Sequence, residues 1–363
     1  MIILGTEVDA DGIRRRTGDT EALWGLRSVV LDGGVEHAVR VIEVRTAAGL
    51  EFDVLVDRAF DIGAARWRGV PFGWRSGVGF RHPGLAEEDE GGLAWLRGLD
   101  GLLVSAGLDH TLFGGEYDAG HYRYPPRRMI RHGLHGRLST IPGRVLQAQE
   151  VWEGGRGVLR VVGEIVQSTV FGEHLRLTRT IEVDVDGVEI RLHDRVENLG
   201  FERTPHMFLY HINIGWPVVE EGTEFIADVD DTIWQSDSVR EQGVPYGLLP
   251  GPSRGLVEQV FEHRLLPREG ICRVALVRAD RELGVEVAWD HAAMPHFFEW
   301  QNLREGQYAV GLEPSTHGIG GEDVARADGS MIWLEHAEGR EYCTIIRILA
   351  GRHARLSAER VSQ

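Results

Sequence analysis

The chain has 363 residues, 42% of them hydrophobic and 26% charged, and a formal net charge of −17. An excess of 56 carboxylates over 39 basic side chains opposes binding to nucleic acid or anionic lipid, both of which need local positive charge. No apolar run approaches the ~20 residues of a membrane span, and the start "MIILGTEVDADGIRRR" lacks the charged-then-apolar order of a secretion signal.

Taken in chain order, short alternating segments dominate. "HAVRVIEVRT" (His37–Thr46) reads as a strand, and "LEFDVLVDRAFDIGAARWRG" (Leu50–Gly69) as two strands around a bend. One stretch looks helical. "GGLAWLRGLDGLLVSAG" (Gly91–Gly107) sets Leu93, Leu96, Leu99 and Leu103 near helical spacing, although its glycines each cost ~1 kcal/mol against alanine. The basic run "RYPPRRMIR" (Arg123–Arg131) reads as a solvated loop face. Gly157–Gly200 alternates over several strands, punctuated by "FGEH" and by "DVDG", whose Asp-Gly marks a hairpin. Further strands follow at "ICRVALVRA", "LGVEVAWD", "HFFEWQNL", "QYAVGLEP", "SMIWLEH" and "EYCTIIRILA".

The whole chain, 1–363, therefore reads as one all-β domain, a large antiparallel sandwich with a few short helices. Cys272 and Cys343 lie in apolar runs and are expected as buried free thiols. With no disulfide framework, a reducing cytoplasm is the expected location.

Sixteen histidines invite a search for chemistry. In "HMFLYHINIGWP", parity puts His211 and Asn213 on one strand face. Two polar groups on an apolar strand need partners, so they read as a hydrogen-bonded pair or a pocket floor. In "YAVGLEPSTHG", Gly311 and Glu313 share a face, and the small residues beside the carboxylate leave room for a ligand. Pro314 is expected to end that strand's ladder, because it has no N–H. Ser315 and His317, two apart, read as a turn. The "HGLHG" segment holds His132 and His135, which face opposite ways on a strand. That makes it a weak metal signal, though His132, His135, His206, His211 and a glutamate are left open as a mixed nitrogen–oxygen site.

The segments "VDRAFDIG" (56–63), "GLLVSAGLDH" (101–110), "HGLHG" (132–136), "RVENLG" (195–200), "LYHINIGWP" (209–217), "EQVFEH" (258–263) and "YAVGLEPST" (308–316) together resemble the galactose mutarotase (aldose 1-epimerase) superfamily. The nearer resemblance is to its DUF4432 branch. The resemblance spans nearly the whole chain and implies a galactose mutarotase-like β-supersandwich. It implies interconversion of sugar anomers, with Glu313 as base and His211 as acid. His206 is a rival acid, because "HINIG" is one residue shorter than the family's histidine-to-asparagine motif and "EPST" replaces the acid-x-Gln ending. By the same resemblance Arg58, His135 and Asn213 bind hydroxyls, Glu262 or His263 contributes to the pocket, and Trp300 or Trp216 stacks on a sugar face. No organic cofactor is required, and a divalent metal is left open. The expected partner is a small sugar, and the oligomeric state is open between monomer and homodimer. The alternatives are another monosaccharide isomerase or epimerase acting on a carbon acid, with or without a metal, and a non-catalytic carbohydrate-binding protein.

Overall fold

A computed structural model of the chain describes residues 2–3, 6–85 and 90–354. Two large antiparallel sheets hold most of the strands. The first has eight, in the spatial order Arg144–Glu153, Arg156–Ser168, His174–Asp184, Glu189–Asn198, Gly339–Ala350, Leu283–Asp290, Ile271–Val277 and Glu224–Ala227. The second has eleven. Its order is Val229–Gln235, Gln259–Leu265, His296–Asn302, Ala309–Ser315, Leu209–Gly215, Leu103–Ala106, Asp61–Trp67, Leu50–Leu55, Arg40–Arg45 and Gly25–Val30, with Val70–Pro71 paired to Asp61–Trp67. The α-helices among the described residues are Ala10–Arg14, Asp237–Gln242 and Gly321–Asp328. No helix among them is long and apolar enough to cross a membrane.

The alternation read from the sequence becomes the contact between the sheets. Leu177, Ile181, Leu192 and Ile346 of the first sheet share one core with Ile62, Ile212, Ile214, Val310 and Leu312 of the second. Each such side chain stabilises the fold by roughly 1.5–3 kcal/mol relative to exposure. One core-facing position on His174–Asp184 carries a charge instead. Arg179, fully buried, donates to both Asp194 oxygens (2.7–3.1 Å) on its own sheet. It also reaches Asp61 Oδ1 (3.0 Å) and Ser105 Oγ (2.9 Å) on the other sheet. Tyr210 closes the network, its hydroxyl donating to Asp194 Oδ2 at 2.7 Å.

The bend in "DRAFD" is a packing device. Ala59 and Phe60 both take left-handed backbone, at φ +51° and +56°. The Phe60 ring then lies so close over Gly163 and Gly143 that a Cβ on either would sit 2.4 Å from it. Alanine at Gly163 would have to push a fully buried ring aside.

Three expectations change. The stretch Gly91–Gly107 is not a helix: it is a short 3₁₀ turn, Ala94–Gly98, followed by the strand Leu103–Ala106. Of the four leucines at helical spacing only Leu103 lies in that strand, which is buried at every residue, while Leu93 and Leu96 are exposed about the turn. The strand carrying Glu313 does not stop at Pro314; it runs on to Ser315. Cys343 is exposed, because it points outward from the first sheet opposite His193, whereas Cys272 is buried as expected.

Replacing Arg179 by methionine strands two buried carboxylates. It is expected to lower unfolding free energy by roughly 3–5 kcal/mol in urea titration. A loss under 1 kcal/mol would show that the network is replaceable by apolar packing.

Candidate functional site

The outer face of the eleven-stranded sheet carries a row of side chains set by register. The pairing of Leu209 with Ser315 and of Ile212 with Leu312 puts His211 directly opposite Glu313. Pairing between these strands lapses there, across from Pro314, which has no N–H to give. On the far side of Glu313 stands Phe298, and on the far side of His211 stands Val104. One step along the strands, Gly311 lies between Asn213 and Trp300.

Opposed residues have Cβ atoms only ~4.5–5.5 Å apart, and the side chains meet. His211 Nε2 lies 3.1 Å from Glu313 Oε1, with side chains only 4% and 6% exposed. The approach is off the line of an imidazole hydrogen bond, so Oε1 is buried without a hydrogen-bond partner. The space that the glycine leaves is filled by the pair itself. A Cβ on Gly311 would sit 2.8 Å from Glu313 Oε1 and 3.0 Å from His211 Cε1. The room read beside the carboxylate is thus first of all room for His211.

Asn213 fixes the histidine. Its Nδ2 donates to the carbonyls of Gly101 (3.1 Å) and His211 (3.2 Å), which leaves Oδ1 to accept from His211 Nδ1 at 2.5 Å. Nδ1 therefore carries hydrogen, and Nε2, facing Glu313, is the free nitrogen of the neutral ring. Aromatic rings wall the pair. Trp95 lies 5.4 Å from the His211 ring, Trp300 5.2 Å in T-shaped contact, and His135 6.0 Å. Trp95 also packs on His135 at 4.5 Å, and Trp74 on Trp300 at 5.8 Å. Trp300 is held by Nε1 donating to Glu258 Oε2 at 2.9 Å.

Such a dry box disfavours charge. Burial, reinforced by the Glu258 carboxylate, raises Glu313 well above the ordinary carboxylate range. Burial lowers His211 to about 4, against the opposing effect of the hydrogen bond that its Nδ1 donates to Asn213. The resting pair is then neutral, with its proton on Glu313, the reverse of the base-and-acid assignment that the resemblance implies.

The other expected site residues divide. His135 joins the box and is kept neutral by burial. Glu262 shares the sheet face but stands beyond Phe298, bonded to His296 Nδ1 (2.8 Å) and to the Ile319 N–H (3.1 Å). His263 is on the opposite face, between the sheets, with Glu299 (3.2 Å) and Thr232 (3.0 Å). His206 is also away from Glu313: it donates to the Leu108 carbonyl (2.8 Å) and accepts from the Tyr342 hydroxyl (2.6 Å). Trp216 is 62% exposed and bonded to Glu220. Arg58 has no contact with the pair and lines a cavity that Trp95 also lines. Trp95 and Trp74 were not singled out from the sequence, and Trp95 was hidden in the stretch read as a helix.

The open mixed-metal set does not assemble, since His206 is elsewhere and His132 turns from His135. Among the described residues, metal-like spacing occurs at His110, His132 and Glu322. The two rings stack 4.6 Å apart at an interplanar angle of 5°. A bound ion lies in the plane of each imidazole at about 2.0–2.1 Å, and two parallel planes at this spacing share no such point. Coordination there would require one ring to turn.

Because the folded state binds the Glu313 proton more tightly than the unfolded chain, wild-type stability falls as pH rises from ~4.3 through the raised folded value. Glu313→Gln removes that slope. The variant should match wild type at pH 4 and gain on it by up to roughly 1.4 kcal/mol per pH unit above that. Melting curves across pH check this, and parallel curves would mean that Glu313 is ionised in the fold.

Residues 36–348 match the family described as Domain of unknown function (DUF4432). No curated protein matches the chain. Among solved structures, a provisionally named aldose 1-epimerase from Klebsiella pneumoniae superposes with a TM-score of 0.84 at 19% identity, covering 98% of this chain and 90% of that one. A galactose mutarotase-like protein from Clostridium acetobutylicum gives 0.62 at 12% identity, over 91% of this chain and 100% of that one. A provisionally named aldose 1-epimerase from Escherichia coli K12 gives 0.55 at 16%, over 84% and 97%. At such identities the likeness is one of fold. The chain belongs to the DUF4432 family and is built on the galactose mutarotase-like β-sandwich.

Proposed function

We propose that the protein is a sugar epimerase of the mutarotase type, which interconverts anomers by opening and closing the sugar ring. The observation that carries this reading is the buried cross-strand pair His211–Glu313, whose Nε2 and Oε1 lie 3.1 Å apart with the acid's pKa pushed up and the histidine's pushed down by burial. The provisional names of the Klebsiella and Escherichia coli proteins support it.

Anomer exchange needs one group to take the proton of the anomeric hydroxyl and another to give a proton to the ring oxygen. A neutral histidine with a free Nε2 can take, and a protonated Glu313 can give. Closure on the other carbonyl face returns both protons, so the enzyme ends as it began. Were the pair to react as carboxylate and imidazolium, the roles would exchange and the outcome would be the same. Asn213 acts on His211, holding the tautomer that leaves Nε2 available. Trp95 and Trp300 supply apolar faces of the kind that pack on sugar C–H groups. Their exclusion of water holds the Glu313 pKa up and the His211 pKa down.

Glu313→Gln should cut enzyme-catalysed anomer exchange by roughly 10²–10⁴-fold, the usual worth of acid–base help, as followed by NMR exchange spectroscopy. In wild type the rate should be flat in the neutral range. It should fall as pH drops through about 4, where His211 takes a proton, and again as Glu313 ionises at high pH. Full exchange activity in the glutamine variant would refute the assignment. Asn213→Ala should reduce kcat more than it raises KM, because it frees the histidine tautomer without touching substrate. An effect on KM alone would give Asn213 a binding role instead.

A further inference from the structure

One cavity is strongly basic in an otherwise acidic chain. It has a volume of about 570 Å³, within the usual range for small-molecule sites. Six arginines line it, among them Arg58, Arg127, Arg131 and Arg137, and no acidic residue does so among the described residues. Every one of the chain's 39 lysine-or-arginine positions is an arginine, so the charge that these six side chains bring does not titrate near neutrality.

The arginines differ in how far the protein satisfies them. Arg97 is engaged with Glu90, and Arg81 donates to the Leu85 carbonyl at 3.1 Å. Arg137 reaches only to 3.9 Å from Glu173 Oε1, and Arg127 only to the Phe171 carbonyl at 3.5 Å. Arg131 is exposed. Arg58 is the most telling. It is 2% exposed, one nitrogen donates to the Gly98 carbonyl, and its Nη1 is buried with no hydrogen-bond partner. Trp95, also on the lining, has its buried Nε1 unpartnered as well. Two dry donors without an acceptor are costly to hold, and both border the same cavity. What would satisfy them is a group with several acceptor oxygens and a negative charge.

Trp95 is also a wall of the His211–Glu313 box. The indole thus borders both the cavity and the pair. We propose that the cavity binds the anionic substituent of the substrate, so that the sugar is an acidic one bearing a carboxylate, phosphate or sulfonate, rather than a neutral aldose. The proposal rests on the sugar-epimerase reading for the identity of the rest of the ligand. The cavity as an anion site rests on Arg58, Trp95 and the lining charge alone.

The test is calorimetric titration of the full chain with a neutral hexose, a hexuronate, a hexose 6-phosphate and a 6-sulfonated hexose, at fixed ionic strength. Wild type, the double variant Arg131→Gln/Arg137→Gln and the single variant Arg58→Gln are compared. Inorganic phosphate serves as a competitor. Expected is a preference of at least about tenfold for one acidic sugar over the neutral one. That preference should be lost in the double variant, whose replaced side chains are exposed or half-exposed and whose melting temperature should hold. The class of anion that wins names the substituent. Equal binding of acidic and neutral sugars, binding of neither, or a preference that survives in every arginine variant overturns the proposal. Anomer exchange is followed separately on the sugar that binds best. Tight acidic-sugar binding without accelerated exchange would defeat the epimerase reading and leave the anion site standing. Accelerated exchange of neutral sugars without anionic preference would do the opposite.

Discussion

Arg179 puts a full positive charge into the gap between two sheets, and much of the molecule is arranged so that this charge is met. Asp194 answers from the same sheet, and Asp61 and Ser105 from the other. Tyr210 adds its hydroxyl to Asp194. These partners are the inward-facing neighbours of the site: Tyr210 precedes His211, and Ser105 follows Val104, which pairs with His211. A directional contact on the inner face therefore fixes where the outer face points. Apolar packing alone would tolerate a small slide of one sheet over the other. A guanidinium held by two carboxylates and a hydroxyl would not, because each donor has a set direction. The cost of burying charge is offset here by precision in the strand that carries His211.

The site has the same character of opposed constraints. Glu313 and His211 are put side by side by register, not by loop geometry, and among the described residues neither has an ion-pair partner outside the pair. Burial pushes the acid up and the base down, so the two meet as neutral groups. Gly311 leaves the space they need, and Asn213 selects the tautomer.

Much of this was legible in the sequence, for physical reasons that also explain what was not. The long strands between Arg156 and Asn198 alternate because one face is core and one is wet, and they were read with little loss. The strands Leu209–Gly215 and Ala309–Ser315 are buried on both faces. Parity there told which residues travel together, as with His211 and Asn213, but not which face looks into the core. His263 and His206 lie on other strands and enter through the family resemblance, which does not say which face of its strand each one takes. The helix read at Gly91–Gly107 fails for a related reason, since the spacing joins leucines of an exposed turn to Leu103 of a four-residue strand that is buried throughout and has no alternation of its own. The basic run at Arg123–Arg131 reads in the sequence as a solvated loop, yet Arg127 and Arg131 line a cavity completed by residues as far back as Arg58. No local pattern encodes that meeting.

The central placement of the pair has a consequence for how the molecule breathes. Leu209–Gly215 and Ala309–Ser315 lie in the interior of the eleven-stranded sheet, several strands from either edge. Their amides belong to the region that opens only when the whole domain unfolds, whereas edges and loops open locally and often. The acid–base geometry is thereby uncoupled from the fraying that a β-sandwich undergoes at its rims. The segment around Trp95 is a short 3₁₀ turn outside any sheet, so opening it does not require a sheet to open. A rigid floor under a soft cover divides labour between chemistry and access, and a substitution in one should leave the exchange kinetics of the other unaltered.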